Sequence, residues 1–138
     1  GPGSDDPGRR PGSGPPKEST MTIPVPDEAL AGVLARFGAA VMVTPRSGSW
    51  SRVLTVDAHA ETTPAGVEIV VESPHPAGLR RVAAEPLVTL VWPPLVHHGH
   101  SLVVDGWGRV DGPYIRVRLD HAVLHRPGSH SDGPDWLW

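Results

Sequence analysis

Short strand-like segments, each bounded by proline or glycine, constrain this chain more than any other feature. In the segment at 114–125, Ile115, Val117 and Leu119 alternate with charged residues. A period of two places the apolar side chains on one face of a β-strand and the polar ones on the other. The 138 residues include 17 prolines and 16 glycines, which interrupt such segments repeatedly. The pattern predicts short strands joined by tight turns.

The pattern predicts six strands, at 39–44, 50–60, 67–72, 87–92, 101–112 and 114–125. A helix is predicted over 26–37, where Pro26 and two acidic residues precede apolar residues at helical spacing. The apolar stripe of that helix consists of Leu30, Val33, Leu34 and Phe37. A second short helix is predicted within 73–86. Alternating strands joined by short turns favour a mainly β fold, an antiparallel barrel or sandwich covered by one or two helices.

Both ends of the chain are predicted to lie outside the folded domain. Residues 1–20 contain no apolar side chain larger than proline, so burial cannot offset the entropy lost on ordering. We expect a disordered tail over 1–22, whose first four residues are typical of an expression-tag remnant, and a folded domain over 23–126. A turn-rich tail over 127–138 ends in Trp136, Leu137 and Trp138, which would either dock on the domain or a partner or be exposed.

Composition excludes several classes of function. The net charge is -3, and no run of basic residues is longer than the pair Arg80-Arg81, so nucleic-acid binding is not expected. The chain has no cysteine, which excludes disulfides, thiolate metal sites and cysteine nucleophiles. No apolar run approaches the roughly 18 residues of a membrane span, and no signal peptide precedes the fold. We therefore expect a cytoplasmic protein with no membrane partner.

Three histidines, His97, His98 and His100, lie between the fourth and fifth predicted strands. In extended chain only His98 and His100 would share a face, and no carboxylate follows in sequence until Asp105, so a solvated loop is favoured over a metal site. A hydrolase triad is disfavoured because the chain has no Gly-x-Ser-x-Gly motif.

Two features could bind an anion. Arg52 lies among apolar residues of the second strand, and its guanidinium is either a surface charge or a phosphate ligand. The segment 73–81 leads from a strand into a helix that carries Arg80 and Arg81. Helix starts attract anions, so this segment is either a phosphate site or a solvated helix face.

From Phe37 to Pro127 the order of several motifs resembles the pyridoxamine 5'-phosphate oxidase family of FMN-binding split barrels, in particular its small actinobacterial members of uncertain substrate. The motifs are FGAAVMVT, SRVLTV, VES, LRRVAAEPLVTLVWPP, HSLVVDGWGRVDG and AVLHRP. The resemblance covers about ninety residues. It implies a six-stranded antiparallel split β-barrel that forms a homodimer, with flavin bound in clefts between the subunits.

The same resemblance assigns residues. Arg52 and either Arg80 or Arg81 would hold the phosphate of the cofactor, FMN or alternatively the deazaflavin F420. The backbone of Val53 and Leu54 would face the edge of the flavin ring, and Ser73 would lie near the phosphate. The resemblance assigns no catalytic residue and no metal ligand.

The implied function is a flavin-dependent oxidoreductase that acts on a small molecule. The alternative is a non-enzymatic split barrel that binds a ligand or only dimerises. This alternative is favoured by the segment from His75 to Gly78, because the family often places a lysine or arginine there. A third hypothesis is a metal-dependent enzyme that uses His98 and His100.

Overall fold

The structure, a computed structural model, describes residues 22–72 and 74–127. These residues form seven strands and two helices. In chain order they are β1 (Thr22–Pro24), α1 (Asp27–Leu34), β2 (Ala40–Thr44), β3 (Arg52–Thr63), β4 (Gly66–Glu72), α2 (Pro76–Ala84), β5 (Leu87–Trp92), β6 (Ser101–Asp111) and β7 (Tyr114–His125). The prediction of a mainly β chain with short helices is confirmed. The predicted tails, including Trp136 to Trp138, fall largely outside the described residues.

All strand pairings are antiparallel. The strand order is β1-β7-β4-β3-β2-β5-β6, and β6 also pairs with β7, so strands β2 to β7 form a closed ring of pairings. β6 and β7 pair along nearly their full length, from Ser101 opposite His125 to Asp111 opposite Tyr114. The turn between them is Gly112-Pro113, and Gly112 has a φ of 60°. The predicted tight turn between the strands at 101–112 and 114–125 is confirmed.

The elements differ from the prediction at their ends. α1 ends at Leu34 rather than at residue 37, but the N–H groups of Arg36 and Phe37 donate to the carbonyls of Val33 and Leu34, at 3.1 and 3.0 Å. These i to i+3 bonds tighten the last turn, so Phe37 still packs on the core. β1 was not predicted, because three residues are too few to show alternation; it pairs with the end of β7, Ile23 opposite Leu124.

The inner faces of the strands form one core, and both helices contribute to it. Its largest fully buried side chains include Trp92, Leu30, Met42, Ile69, Leu90, Leu102 and Ile115. Leu30 and Leu34 of α1 and Val82 of α2 are also buried there. Full burial of such an aliphatic side chain is worth about 1.5–3 kcal/mol, so this core is the main source of stability.

Gly78 allows α2 to approach the sheet closely. A Cβ atom at this position would lie 3.0 Å from the Cε of Met42 and 3.2 Å from a Cδ of Leu54. The first turn of α2 therefore packs directly on β2 and β3. The next turn, with Arg80 and Arg81, is consequently held beside the loop that joins these two strands.

On the outer face, charged side chains connect β3, β4, β6 and β7. Glu68, whose side chain is 12% exposed, accepts hydrogen bonds from Arg109, and Arg116 binds both Glu61 and Asp111. The hydrogen bond from Arg109 holds the pKa of Glu68 below its ordinary value, although burial acts in the opposite direction. The network therefore favours the ionised carboxylate at this largely buried position.

Candidate anion-binding site

A pocket of about 490 Å³ lies between the β2–β3 loop and α2. Four of the residues that line it are arginines, and one is acidic. The full lining is Pro45, Arg46, Ser47, Arg52, Ala77, Arg80, Arg81, Ala84 and Glu85. The pocket therefore carries a clear excess of positive charge, in a chain whose net charge is negative.

Two local structures build the pocket. Thr44 pairs with Arg52 across the β2–β3 hairpin, so residues 45–51 form a loop whose ends lie side by side. Arg46 and Arg52 are therefore brought together by the hairpin. The residues from α2 are spaced i, i+3, i+4 and i+7, which is one face of a helix; they are Ala77, Arg80, Arg81 and Ala84.

Arg81 is fixed in place by neutral groups. Its guanidinium donates to the carbonyl oxygens of Thr44 at 3.3 Å and Pro45 at 2.8 Å. These bonds orient the side chain at the end of β2 without cancelling its charge. Within residues 22–72 and 74–127, Arg46, Arg52 and Arg80 form no ion pair. The pocket thus presents guanidinium groups that an anion could bind bidentately.

The structure brings three predicted site residues together, since Arg52, Arg80 and Arg81 all line this pocket. Val53 and Leu54 do not line it with their side chains: Val53 is 59% exposed and Leu54 packs on the core. Their predicted role depends on the backbone instead. Ser73 lies outside the described residues.

The backbone of β3 is open at the predicted ring-binding segment. Residues from Arg52 to Val56 pair with β2, whereas pairing with β4 starts only at Asp57. Among the described strands, none covers the second edge of β3 at Val53 and Leu54. Backbone N–H and C=O groups on that edge can therefore bond to a ligand.

The sequence pattern does not indicate Arg46 as a site residue. It lies in a turn with no regular period, so nothing local indicates where its side chain points. The register of the β2–β3 hairpin is the signal that would have located it. Arg46 lies just after the end of β2 and six residues before Arg52, and the hairpin brings these two positions close together.

The loop between β5 and β6, which carries His97, His98 and His100, borders a different pocket of about 240 Å³, here called the histidine pocket. His100 lines it together with Val33, Phe37 and Leu124. It shares no lining residue with the pocket of the four arginines, here called the arginine pocket. The rings of His97 and His98 lie 4.2 Å apart, and His98 has a φ of 65°. In the part of the chain that the structure describes, no group of three or more metal-ligating side chains is arranged to hold a metal ion.

A third pocket, of about 320 Å³, lies on the outer face of β5 and β6 and includes Asp105 and Trp107. His121 bridges two carboxylates there, at 3.1 Å from Asp105 and 2.9 Å from Asp120. The hydrogen bond with Asp120 raises the pKa of His121. Because His121 and these carboxylates pair with one another, the cluster leaves fewer charged groups to bind a ligand than the arginine pocket does.

Comparisons with known proteins give no relative: no family model, no curated protein and no solved structure matches this chain. Neither helix in the described ranges is long and apolar enough to cross a membrane.

Proposed function

We propose that this chain is a flavin-binding split-barrel protein, similar to the pyridoxamine 5'-phosphate oxidase family, that serves as an oxidoreductase for a small molecule. One observation carries the proposal. Arg52 and the pair Arg80-Arg81, assigned to the cofactor phosphate from separate parts of the sequence, line a single pocket. The closed ring of six antiparallel strands supports the split-barrel architecture.

The pocket fits a phosphate group. A phosphate monoester carries close to two negative charges and three acceptor oxygens, and guanidinium groups match that geometry with paired N–H donors. Arg52 and Arg80 would bind the phosphate, and Arg81 would add a guanidinium that is already oriented by the Thr44 and Pro45 carbonyls. Arg46 would complete the ring of cations.

The open edge of β3 fits the polar rim of a flavin ring. Of Val53 and Leu54, the residue whose N–H and C=O point away from β2 would bond to that rim and fix its orientation relative to the phosphate. When bound, FMN, or alternatively F420, supplies hydride transfer, while the protein binds, orients and shields it. No side chain of this chain is assigned as a general acid or base.

The outer face of β2, β3, β5 and β6 supports a homodimer. Residues that pair across these strands share a face, and the face opposite the core is largely apolar. Its apolar members are Val41, Val43, Val53, Leu87, Val91, Val103 and Trp107. On this face Leu87 and Val53 are 46% and 59% exposed, and contiguous exposed apolar patches are typical of interaction surfaces. We propose that a second copy covers this face.

The alternative, a split barrel without flavin, has one specific observation in its favour. His75, the residue that precedes α2, makes no side-chain capping bond, and Pro76 has no backbone N–H to donate. The start of α2 thus offers fewer donors to a phosphate than most helix starts. In this alternative the arginine pocket binds another anion, or the chain only dimerises.

Removal of two arginines tests the flavin proposal. In the variant Arg52→Ala/Arg80→Ala, we expect FMN affinity to fall by about a hundredfold or more, since two charge-assisted contacts are lost. Quenching of FMN fluorescence during titration measures this. Arg36→Ala is the matched control, because Arg36 lines the histidine pocket instead. Equal FMN affinity in the double variant and in the wild type would show that the assigned site is wrong.

A further inference from the structure

Trp50 is 91% exposed, the most exposed large apolar side chain among the described residues. Tryptophan usually buries most of its surface, because the indole is one of the largest apolar groups in proteins. A nearly free indole therefore leaves a large favourable contact unmade. Its position in the chain indicates which contact that is.

Residues that line the arginine pocket flank Trp50 on both sides. Arg46 and Ser47 precede it in the loop, and Arg52 follows two positions later. Two residues span at most about 7 Å, so the backbone of Trp50 lies at the rim of the pocket. Between them the loop turns at Gly48, with a φ of 71°, and the Ser49 N–H donates to the Arg46 carbonyl at 3.3 Å.

Cations beside an exposed aromatic ring suit a phosphorylated heterocycle as ligand. The guanidinium groups would bind its phosphate, and the indole would stack on its planar ring, as aromatic residues do in proteins that bind single-stranded nucleic acids. Guanidinium groups alone would not distinguish a phosphorylated heterocycle from inorganic phosphate. An indole alone would not distinguish it from the same heterocycle without a phosphate. Together, the two kinds of group select a ligand that carries both parts.

We propose that Trp50 is a binding residue that stacks on the planar ring of a phosphorylated heterocycle whose phosphate is held by Arg52 and Arg80. The inference rests on the proposed flavin function, and it adds a specificity residue that neither the motifs nor the pocket lining includes. Stacking of this kind changes affinity by roughly tenfold or more.

The test compares FMN with inorganic phosphate in Trp50→Ala, Trp50→Phe and the wild type. We expect Trp50→Ala to weaken FMN binding by about tenfold, and Trp50→Phe to restore most of it, because phenylalanine keeps a stacking face. The affinity for inorganic phosphate, measured by the rise of the unfolding midpoint with phosphate concentration, should change by less than about twofold. FMN bound at saturation should fluoresce more brightly in Trp50→Ala, since the quenching stack is gone.

Leu95→Ala is the matched control, because Leu95 is 65% exposed and lines the histidine pocket. It should leave both affinities unchanged. Equal FMN affinity in Trp50→Ala and the wild type would overturn the stacking role alone. A parallel loss of phosphate affinity would overturn it too, because Trp50 would then shape the loop. If the wild type binds phosphate but not FMN, the flavin function fails and the inference fails with it.

Discussion

Single arginines define this pocket, and the sequence identified three of the four. Arg52 is recognisable because a charge interrupts a strand that is otherwise apolar on that face. Arg80-Arg81 are recognisable because they lie in a short helix that follows a strand end. Arg46 was not recognisable, since its place depends on the register of a hairpin rather than on its neighbours in sequence. Periodicity reports which face a residue occupies, but it does not report which loops meet.

Gly106 gives a prediction about stability at the scale of one residue. A Cβ atom there would lie only 2.3 Å from the carbonyl oxygen of Arg118, a backbone atom that cannot move aside cheaply. The register of the pairing between β6 and β7 shifts between Asp105 and Gly106. Gly106→Ala should therefore lower the free energy of unfolding by about 2 kcal/mol or more, as measured by urea denaturation.

Gly32 provides the matched control for that measurement. It lies in α1, and a Cβ atom there would meet nothing within 4 Å. Gly32→Ala should leave stability unchanged or raise it by about 0.5–1 kcal/mol, because alanine is the better helix former. Equal effects of the two substitutions would contradict the steric argument for Gly106.

At the scale of elements, alternation located six of the seven strands and their faces. β5 and β7 begin and end where the pattern predicted, whereas β3 runs to Thr63 because its pairing with β4 continues to a two-residue turn. The pairing of β4 with β7 was beyond the sequence, since no local pattern states which distant strands meet. β1 was too short to be recognised.

The strands on the outer face are also connected by a pH-sensitive contact. His59 of β3 bonds to Glu72 of β4 at 2.6 Å and to Glu61 at 3.3 Å. These bonds, chiefly that with Glu72, raise the pKa of His59 above 6.5, against a smaller opposing effect of burial. The protonated imidazole therefore stabilises the fold, and this contribution is complete below pH 6.5 and fades as the pH rises through the folded-state pKa.

The variant His59→Gln should reveal that contribution. We expect wild type to exceed the variant in stability at about pH 5.5, by less than about 1 kcal/mol because the ring is partly solvated, and the difference to shrink by about pH 9. Urea denaturation at both pH values measures it. In a Glu72→Gln background, the same substitution should show a much smaller pH dependence; an undiminished one would contradict the pairing.

At the scale of the whole molecule, the apolar outer face of β2, β3, β5 and β6 predicts self-association. Val43 and Val91 lie on that face, on the adjacent strands β2 and β5. The double variant Val43→Asp/Val91→Asp should have the mass of a monomer in light scattering at concentrations where we expect the wild type to be a dimer, since buried unpaired carboxylates oppose association. Val110→Asp, at a residue 41% exposed near the far end of β6, should remain dimeric. A monomeric wild type would contradict the proposed interface.

The central claim also concerns the whole molecule. It is that the arginine pocket and the open edge of β3 together bind a flavin phosphate. The most direct measurement is a titration of FMN with the purified wild-type chain, followed by flavin fluorescence, with F420 in parallel. We predict saturable binding of one flavin per chain, with a dissociation constant of about a micromolar or below. Absence of saturable binding of either cofactor to folded protein would contradict the claim and would favour the alternative, in which the arginine pocket binds another anion.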